Sequence, residues 1–262
     1  MFTSWTPGLG GPLQELAGDY SRLEGLKAKL DKLRPLSPAA AANLRADMVL
    51  RYTYNSNALE GNTLTLNETK AVLEQGVTIG GKSLREHLEA INHREAIDFL
   101  ESLARDNAPL SERTVKDLHA IVLKSIDRDN AGRWRRQNVL IGGSDFRPPE
   151  ALHVPEHLAA FFNWGAAGAQ KVPALERAAR VHADFVSIHP FLDGNGRTAR
   201  LLMNLELMKS GYPVAILPVS ARGEYYDALT AIQTRGDYLP FVRQICSLVE
   251  KSFEPYRFVL GV

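Results

Sequence analysis

The stretch HPFLDGNGRTAR occupies residues 189–200, between two segments with the apolar spacing of α-helices. Gly194 and Gly196 permit positive φ angles and a close approach of the backbone. The amides at the start of the following helix can form a concave anion site. Arg197 and Arg200 share one face of that helix. A cation is unfavourable in a first helical turn, so the pattern favours a bound phosphate between the arginines and the helix end.

Two other side chains give this loop its chemistry. Asp193 can hold a divalent cation beside a polyphosphate, as carboxylates do for Mg²⁺. His189 stands at the opposite lip, where it could take a proton from an incoming hydroxyl. An unperturbed histidine titrates near the working pH, so His189 is predicted to need little tuning. The alternative, a tight glycine turn with solvated arginines, has about even odds for a short glycine motif alone.

The composition is that of an ordinary globular domain. Hydrophobic residues make up 45% of the 262 residues and charged residues 23%, and the formal net charge is +1. The balanced charge argues against a nucleic-acid partner. No apolar run could span a membrane and no signal peptide is recognisable, so no membrane partner is expected. The single cysteine, Cys246, cannot form an intrachain disulfide and is predicted to lie in the core of a cytoplasmic protein.

The remaining pattern is helical and predicts an all-α fold. Thr65 with Glu68, and Ser83 with Glu86, have the spacing of capping boxes that open two helices. Gly76 is predicted to end the first of these. The other predicted helices cover residues 13–34, 38–60, 109–125, 155–167, 173–189, 198–210, 222–235 and 239–253.

One segment departs from this pattern. Residues 133–149, RWRRQNVLIGGSDFRPP, combine a β-prone apolar run with Gly142, Gly143 and two prolines. The segment predicts a short β-hairpin, or flap, at about residues 137–147. The basic cluster RWRRQ is predicted to support the flap or the phosphate region rather than to bind nucleic acid.

HPFLDGNGRTAR resembles the signature of the Fic family, HPFx(D/E)GNGRxxR, at every defining position. Four other segments are similar to segments found in this order in Fic proteins: NSNALEGNTLTLNET (55–69), GGKSLREHLEAINHREAIDFL (80–100), AGRWRRQNVLIGG (131–143) and EYYDAL (224–229). The resemblance implies a Fic-type helical bundle with a small β-hairpin flap. We expect the Fic domain at residues 51–255, preceded by a helical extension at residues 1–50.

The resemblance also implies an activity, which is transfer of AMP from ATP to a Ser, Thr or Tyr hydroxyl of a target protein, with Mg²⁺. Such a reaction needs mainly positioning and charge neutralisation from the protein. The roles implied are His189 as general base, Phe191 as core anchor, Asp193 as Mg²⁺ ligand, Gly194, Asn195 and Gly196 as anion hole, Arg197 as ligand of the phosphate chain and Arg200 as ligand of the γ-phosphate.

Adenine and target sites are implied in the same way. Tyr225 and Tyr226 stand where Fic proteins place aromatic residues near the adenine, and Gln233, at a position often held by Asn, would share a helical face with Tyr226. The flap resembles the family's target-docking hairpin, whose edge could pair with an extended segment of an unidentified target protein. The flap residues predicted to dock the target are Val139, Leu140, Ile141 and Gly142.

NSNALEGN resembles the family's inhibitory motif, (S/T)xxxE(G/N). Glu60 precedes Gly61, a predicted helix end, and a carboxylate there opposes the helix dipole unless a cation meets it. Ser56 lies four residues earlier on the same face. The resemblance implies an inhibitory helix at about residues 43–60, in which Glu60 pairs with Arg200 and so occupies the ligand of the γ-phosphate. Without the catalytic signature, a surface Glu with an incidental Ser would be the better interpretation.

Three other functions stay open at this point. The same site could remove AMP from a modified protein, with Glu60 orienting a water. A toxin-like or regulatory module could work by binding a partner, although an intact His189 and Asp193 would then be unnecessary. Transfer of the γ-phosphate occurs in Doc-type relatives, whose loop departs from GNGR. The target, the modified residue, strict ATP preference and the oligomeric state, a homodimer included, are left open, and His182 is predicted to be structural.

Overall fold

Eleven α-helices account for most of the residues that the computed structural model describes, which are 12–168 and 171–261. They are α1 (Ala17–Asp31), α2 (Pro38–Leu59), α3 (Leu66–Gln75), α4 (Leu84–Arg105), α5 (Glu112–Val122), α6 (Val154–Asn163), α7 (Ala174–Ile188), α8 (Asn195–Lys209), α9 (Arg222–Arg235), α10 (Leu239–Ser252) and α11 (Glu254–Leu260). Short 3-10 helices at Gln14–Leu16, Ala151–His153 and Val219–Ala221 precede α1, α6 and α9, and a π-helical turn at Trp164–Gly168 follows α6.

Helices α7 and α8 form the centre of the molecule. Nearly every side chain of both is buried, charged ones included, as expected for helices covered on all sides. They pack against each other; α2, α4 and α5 cover α8, while α6, α9 and α10 cover α7. The loop that joins them, residues 189–194, is therefore held at both ends by the most buried elements of the fold.

The predicted helix ends are largely confirmed. Both capping boxes are present, with Thr65 opening α3 and Ser83 opening α4. Gly76 ends α3 in the left-handed conformation at φ 65°, where glycine carries no steric penalty. Pro155 lies in the first turn of α6, where its missing N–H is harmless. The last helix, α11, has no counterpart among the predicted elements.

The N-terminal segment joins the main core instead of forming a separate one. Leu16, Leu23 and Leu30 are buried in the same apolar cluster as α7 and α8, and α1 packs on α10. The predicted boundary at residue 50 falls inside α2, which begins at Pro38 after the cap of Ser37. Residues 1–11 of the predicted extension lie outside the described residues.

The expected β-hairpin is wrong in its strand pairing, although the all-α prediction is confirmed. No strand occurs in the described parts of the chain, and residues 137–147 form an extended loop with one turn. In that turn the Ser144 amide donates to the Ile141 carbonyl at 3.2 Å, and Gly143 has φ 74°. A lone two-stranded ribbon is marginal without further partners, and Pro148 with Pro149 removes two ladder donors at its end. None of the helices described is long and apolar enough to cross a lipid bilayer.

Candidate active site

The loop between α7 and α8 is closed on itself by Asn195. The Asn195 side chain accepts from the Phe191 amide and donates to the Phe191 carbonyl, both at 2.9 Å. Gly194 is the N-cap of α8 in the left-handed conformation, with φ 74°. The amides of the first turn, which have no acceptors within the helix, therefore begin at Gly194. The Asn195 side chain is used within the loop, so of its polar groups only the backbone amide is left for the expected anion hole.

Phe191 anchors the loop in the core, together with a residue that the sequence did not identify. Phe191 is fully buried and stacks on the His119 ring, with centroids 3.4 Å apart. His119 Nε2 lies 2.9 Å from the Asp193 carbonyl, and its Nδ1 accepts from the Gly132 amide at 2.9 Å. Burial lowers the pKa of His119 to about 4. The ring is therefore neutral at pH 7 and can donate at one nitrogen while accepting at the other.

His189 is held in a conformation that favours one tautomer. It caps α7 with φ 50°, a left-handed conformation that costs about 1 kcal/mol or more for a residue with a Cβ. Its Nδ1 lies 3.3 Å from the Val186 carbonyl; a carbonyl only accepts, so Nδ1 carries the proton and Nε2 is left as the base. Burial lowers the pKa of His189 to about 4. The expectation that His189 needs little tuning is therefore wrong, since the folded protein holds it neutral and weakly basic.

Arg197 is buried, and its charge is met by carboxylates. Its guanidinium lies 3.1 Å from Glu89 on α4 and 3.2 Å from Asp193 Oδ1. Arg85, also on α4, donates to Asp193 Oδ2 and pairs with Glu89. Burial opposes ionisation of Asp193, but Arg197, the Gly194 amide and Arg85 outweigh it and lower the Asp193 pKa. The sequence motif identifies Arg197 and Asp193 as candidate site residues, but it does not identify Glu89 and Arg85, which lie on α4.

Arg200 meets the two residues of the α2 motif. Its Nε donates to Ser56 Oγ at 3.0 Å, and its Nη2 donates to the Ser56 carbonyl at 2.8 Å and to Glu60 Oε1 at 2.7 Å. Burial alone would lower the pKa of Arg200, and the Glu60 carboxylate raises it above the ordinary value. A Cβ added to Gly196 would stand 2.2 Å from Glu60 Oε1. Glu60 thus fills the space directly over the first turn of α8.

The expected metal ligand is Asp193, a single carboxylate on the loop. Within the part of the chain that the structure describes, no group of three or more His, Cys, Asp or Glu side chains is placed to hold a metal ion. Asp193 is an ionised, partly exposed carboxylate at the lip of the loop. This fits Mg²⁺, which commonly binds through one or two carboxylates and completes its shell with substrate phosphates and water. Arg85 would have to release the Asp193 oxygen that it now occupies.

The residues expected around adenine are divided between core and surface. Tyr225 is buried, with its hydroxyl 3.2 Å from His182 Nε2. Tyr226 packs against it, with centroids 5.0 Å apart, and is 40% exposed. Gln233 is buried on the same helix, α9. Of the two rings, Tyr226 is the one that a ligand could reach. His182 is fully buried against Tyr225, as predicted for a structural residue.

The flap is anchored at its base and exposed at its tip. Leu140 is 71% exposed, Gly142 is exposed, and Val139 and Ile141 are half-buried. Such an apolar, exposed loop remains free to meet another chain. Cys246 is buried in the core as predicted, and burial raises its pKa to about 12, which makes it a poor nucleophile.

Taken together, these contacts define a phosphate-binding class of site. Arg197 and Arg200 are fully buried at the start of α8. The neutral imidazole of His189 stands on the other lip of the loop. Helix starts with fixed cations bind anions. In this structure the carboxylate of Glu60, at the end of α2, occupies part of the space beside Arg200.

The comparisons with known proteins agree with this description. Residues 109–207 match the model of the Fic/DOC family. The chain is 42% identical over 208 residues to protein adenylyltransferase fic-1 of Caenorhabditis elegans, covering 78% of this chain and 40% of that protein. It is 35% identical over 241 residues to protein adenylyltransferase Fic of Drosophila ananassae, covering 91% of this chain and 48% of that one. It thus spans less than half the length of these two relatives.

Solved structures show the same fold. A Fic-1 structure from C. elegans superposes with a TM-score of 0.83 at 36% identity, covering 93% of this chain and 72% of that one. A Fic domain containing signalling protein from Bacteroides thetaiotaomicron also gives 0.83, at 29% identity and with 93% and 97% covered. The chain belongs to the Fic/DOC family.

Proposed function

We propose that the protein is an adenylyltransferase that moves AMP from ATP to a hydroxyl side chain of a target protein, and that Glu60 holds it inactive. The observation that carries the proposal is that Arg200, at the start of α8, pairs with Glu60 and donates to Ser56. The neutral His189 stands on the other lip of the loop. Family membership supports this choice of reaction, as does the similarity to relatives that are named protein adenylyltransferases.

The chain's own residues account for each step of transfer. His189 Nε2 takes the proton of the target hydroxyl, and that oxygen attacks the α-phosphorus of ATP. The bond between the α-phosphorus and the bridging oxygen breaks, and pyrophosphate leaves. Arg197 and the first amides of α8 hold the phosphates, with Arg200 on the γ-phosphate. Mg²⁺ held by Asp193 would neutralise phosphate charge when bound. The flap would position the target segment through Val139, Leu140, Ile141 and Gly142.

Glu60 would inhibit by charge and by volume. It holds Arg200 at 2.7 Å and lies over Gly196, so a triphosphate would have to displace it to reach the arginine. Ser56 contacts Arg200 independently of Glu60. Loss of Glu60 would therefore leave Arg200 in place and ready for the γ-phosphate.

Labelled ATP tests the reaction directly. The Glu60→Gly protein should label itself with ATP carrying ³²P at the α-phosphate and not at the γ-phosphate, and adding His189→Ala should abolish the label while ATP still binds. Label from the γ-position would identify a kinase-type transfer instead. No label at either position, with ATP bound, would refute the proposal.

One observation favours removal of AMP as a second candidate. The Glu60 carboxylate lies over Gly196 in the first turn of α8, and its charge acts to raise the pKa of His189 against the larger opposite effect of burial. A carboxylate in this position could orient a water. AMP release from a self-modified protein distinguishes the two functions, because Glu60→Gly would stop this release and stimulate transfer.

A further inference from the structure

Arg135, in the segment that leads into the flap, has no role in the reaction described above. It is 4% exposed, and among the described residues no carboxylate pairs with it. Burial lowers the pKa of its guanidinium. A cation is buried at this cost only when other polar groups compensate. The groups that bond to Arg135 therefore indicate what it does.

The Arg135 side chain donates to three backbone carbonyls. Nη1 donates to Gln137 at 3.0 Å and Nη2 donates to Pro149. These two residues bracket the flap, so one guanidinium closes the base of the loop. This closure takes the place of the strand ladder that the flap lacks. The fixed fork of an arginine can serve separate acceptors in one plane, whereas a lysine ammonium cannot span them.

The third contact of Arg135 reaches the catalytic loop. Nε donates to the His189 carbonyl at 2.7 Å, and the Arg135 amide donates to the Pro190 carbonyl at 2.8 Å. His189 is in the left-handed conformation, which persists in a residue with a Cβ only when its surroundings enforce it. Two bonds to consecutive carbonyls supply such enforcement from outside α7.

We propose that Arg135 is a positioning residue that makes the flap and His189 one mechanical unit, so that docking of a target segment and alignment of the base depend on each other. This inference rests on the proposed function for its catalytic consequence. Its structural content, the coupling of the two segments, does not. Arg135 touches neither Arg197 nor Arg200, so it acts on the hydroxyl side of the reaction and leaves the phosphate side unchanged.

The test compares Arg135→Lys with Arg136→Lys, an exposed neighbour that serves as the matched control. Chymotrypsin cleavage after Leu140, which is 71% exposed, measures the opening of the flap. The chemical shifts of the His189 ring in NMR spectra report its position. Loss of the fork should speed cleavage about tenfold, as expected for one charge-assisted hydrogen bond, and should move the His189 signals. Arg136→Lys should change neither.

Activity is then measured in the Glu60→Gly background. We expect Arg135→Lys to lower the rate of self-labelling from α-labelled ATP about tenfold, with ATP affinity unchanged. Cleavage that speeds up without any shift of the His189 signals would overturn the coupling. His189 signals that move while labelling keeps its rate would overturn the positioning role of Arg135 in catalysis. If the Glu60→Gly parent transfers no label at all, the proposed function fails, while cleavage and NMR still decide whether the two segments are coupled.

Discussion

Replacing Glu60 is the most informative perturbation, because this one side chain both pairs with Arg200 and fills the space above Gly196. A charge-assisted hydrogen bond is worth about 1.5–3 kcal/mol. Glu60 is 30% exposed, so the lower part of that range, about 1.5–2 kcal/mol, applies after solvent screening. ATP must overcome this energy to reach Arg200. At 1.4 kcal/mol per factor of ten, Glu60→Gly should raise the labelling rate about 10- to 30-fold at ATP below saturation.

The assay is initial-rate self-labelling with α-labelled ATP, run beside thermal unfolding. Glu60 is the C-cap of α2, at φ −90°, so glycine can adopt this backbone but gains none of the preference that belongs to the left-handed Gly61 after it. At about 2–4 °C per kcal/mol, the same lost bond should lower Tm by about 3–8 °C without nucleotide. Glu60→Gln keeps the volume over Gly196 and removes the charge, so its labelling rate should fall between those of Glu60→Gly and the unmodified chain.

Glu74→Gly is the matched control. Glu74 also lies in the last turn of a helix, α3, but it is exposed and pairs with an exposed lysine, Lys70, at 4.0 Å. It should leave the labelling rate unchanged. If Glu60→Gly binds ATP and labels no faster than the unmodified chain, the reasoning from the Glu60–Arg200 contact is refuted.

Three further outcomes follow from the site. Because the His189 pKa is lowered to about 4, the deprotonated base is present throughout pH 5–8. In the Glu60→Gly background, kcat/KM should therefore fall only below about pH 5. A fall in kcat/KM on the acid side near pH 6.5 would contradict the burial of His189. Arg85→Ala frees the Asp193 oxygen to which Arg85 donates. In calorimetric titrations, half-maximal ATP binding should then need a several-fold lower Mg²⁺ concentration. An unchanged Mg²⁺ concentration would exclude competition by Arg85. Asn195→Ala leaves the Phe191 amide and carbonyl without their partners. The substitution should lower the free energy of unfolding by about 2–4 kcal/mol, measured by denaturant titration. A loss below about 1 kcal/mol would show that Asn195 does not close the loop.

Local features could be predicted from the sequence because their determinants are three or four residues apart. The capping boxes of Thr65 and Ser83 and the left-handed Gly76 follow from such spacing. The Glu60–Arg200 contact spans 140 residues and came from the resemblance to a family, not from residue patterns. Its geometry is present in the structure, while its inhibitory effect stays a prediction.

Distant contacts of ordinary residues could not be found in this way. His119 meets Asp193 across 74 residues and Arg135 meets His189 across 54; neither has a local pattern that distinguishes it from other buried side chains. The hairpin prediction failed for a related reason. A β-prone run followed by two glycines favours a turn, but strand pairing needs partners, and here the Arg135 side chain closes the loop instead.

The bonds between Ser56 and Arg200 have a consequence for speed as well as for binding. Both oxygens of Ser56 accept from the Arg200 guanidinium, so loss of Glu60 would leave these two bonds in place. A triphosphate that arrives would thus find its cation already aimed, with little side-chain entropy left to lose and little dipole reorganisation at the moment of reaction. If Glu60 inhibits as proposed, switching the site on would require a swing of one carboxylate and no refolding. Activation should therefore be as rapid as the departure of Glu60 itself.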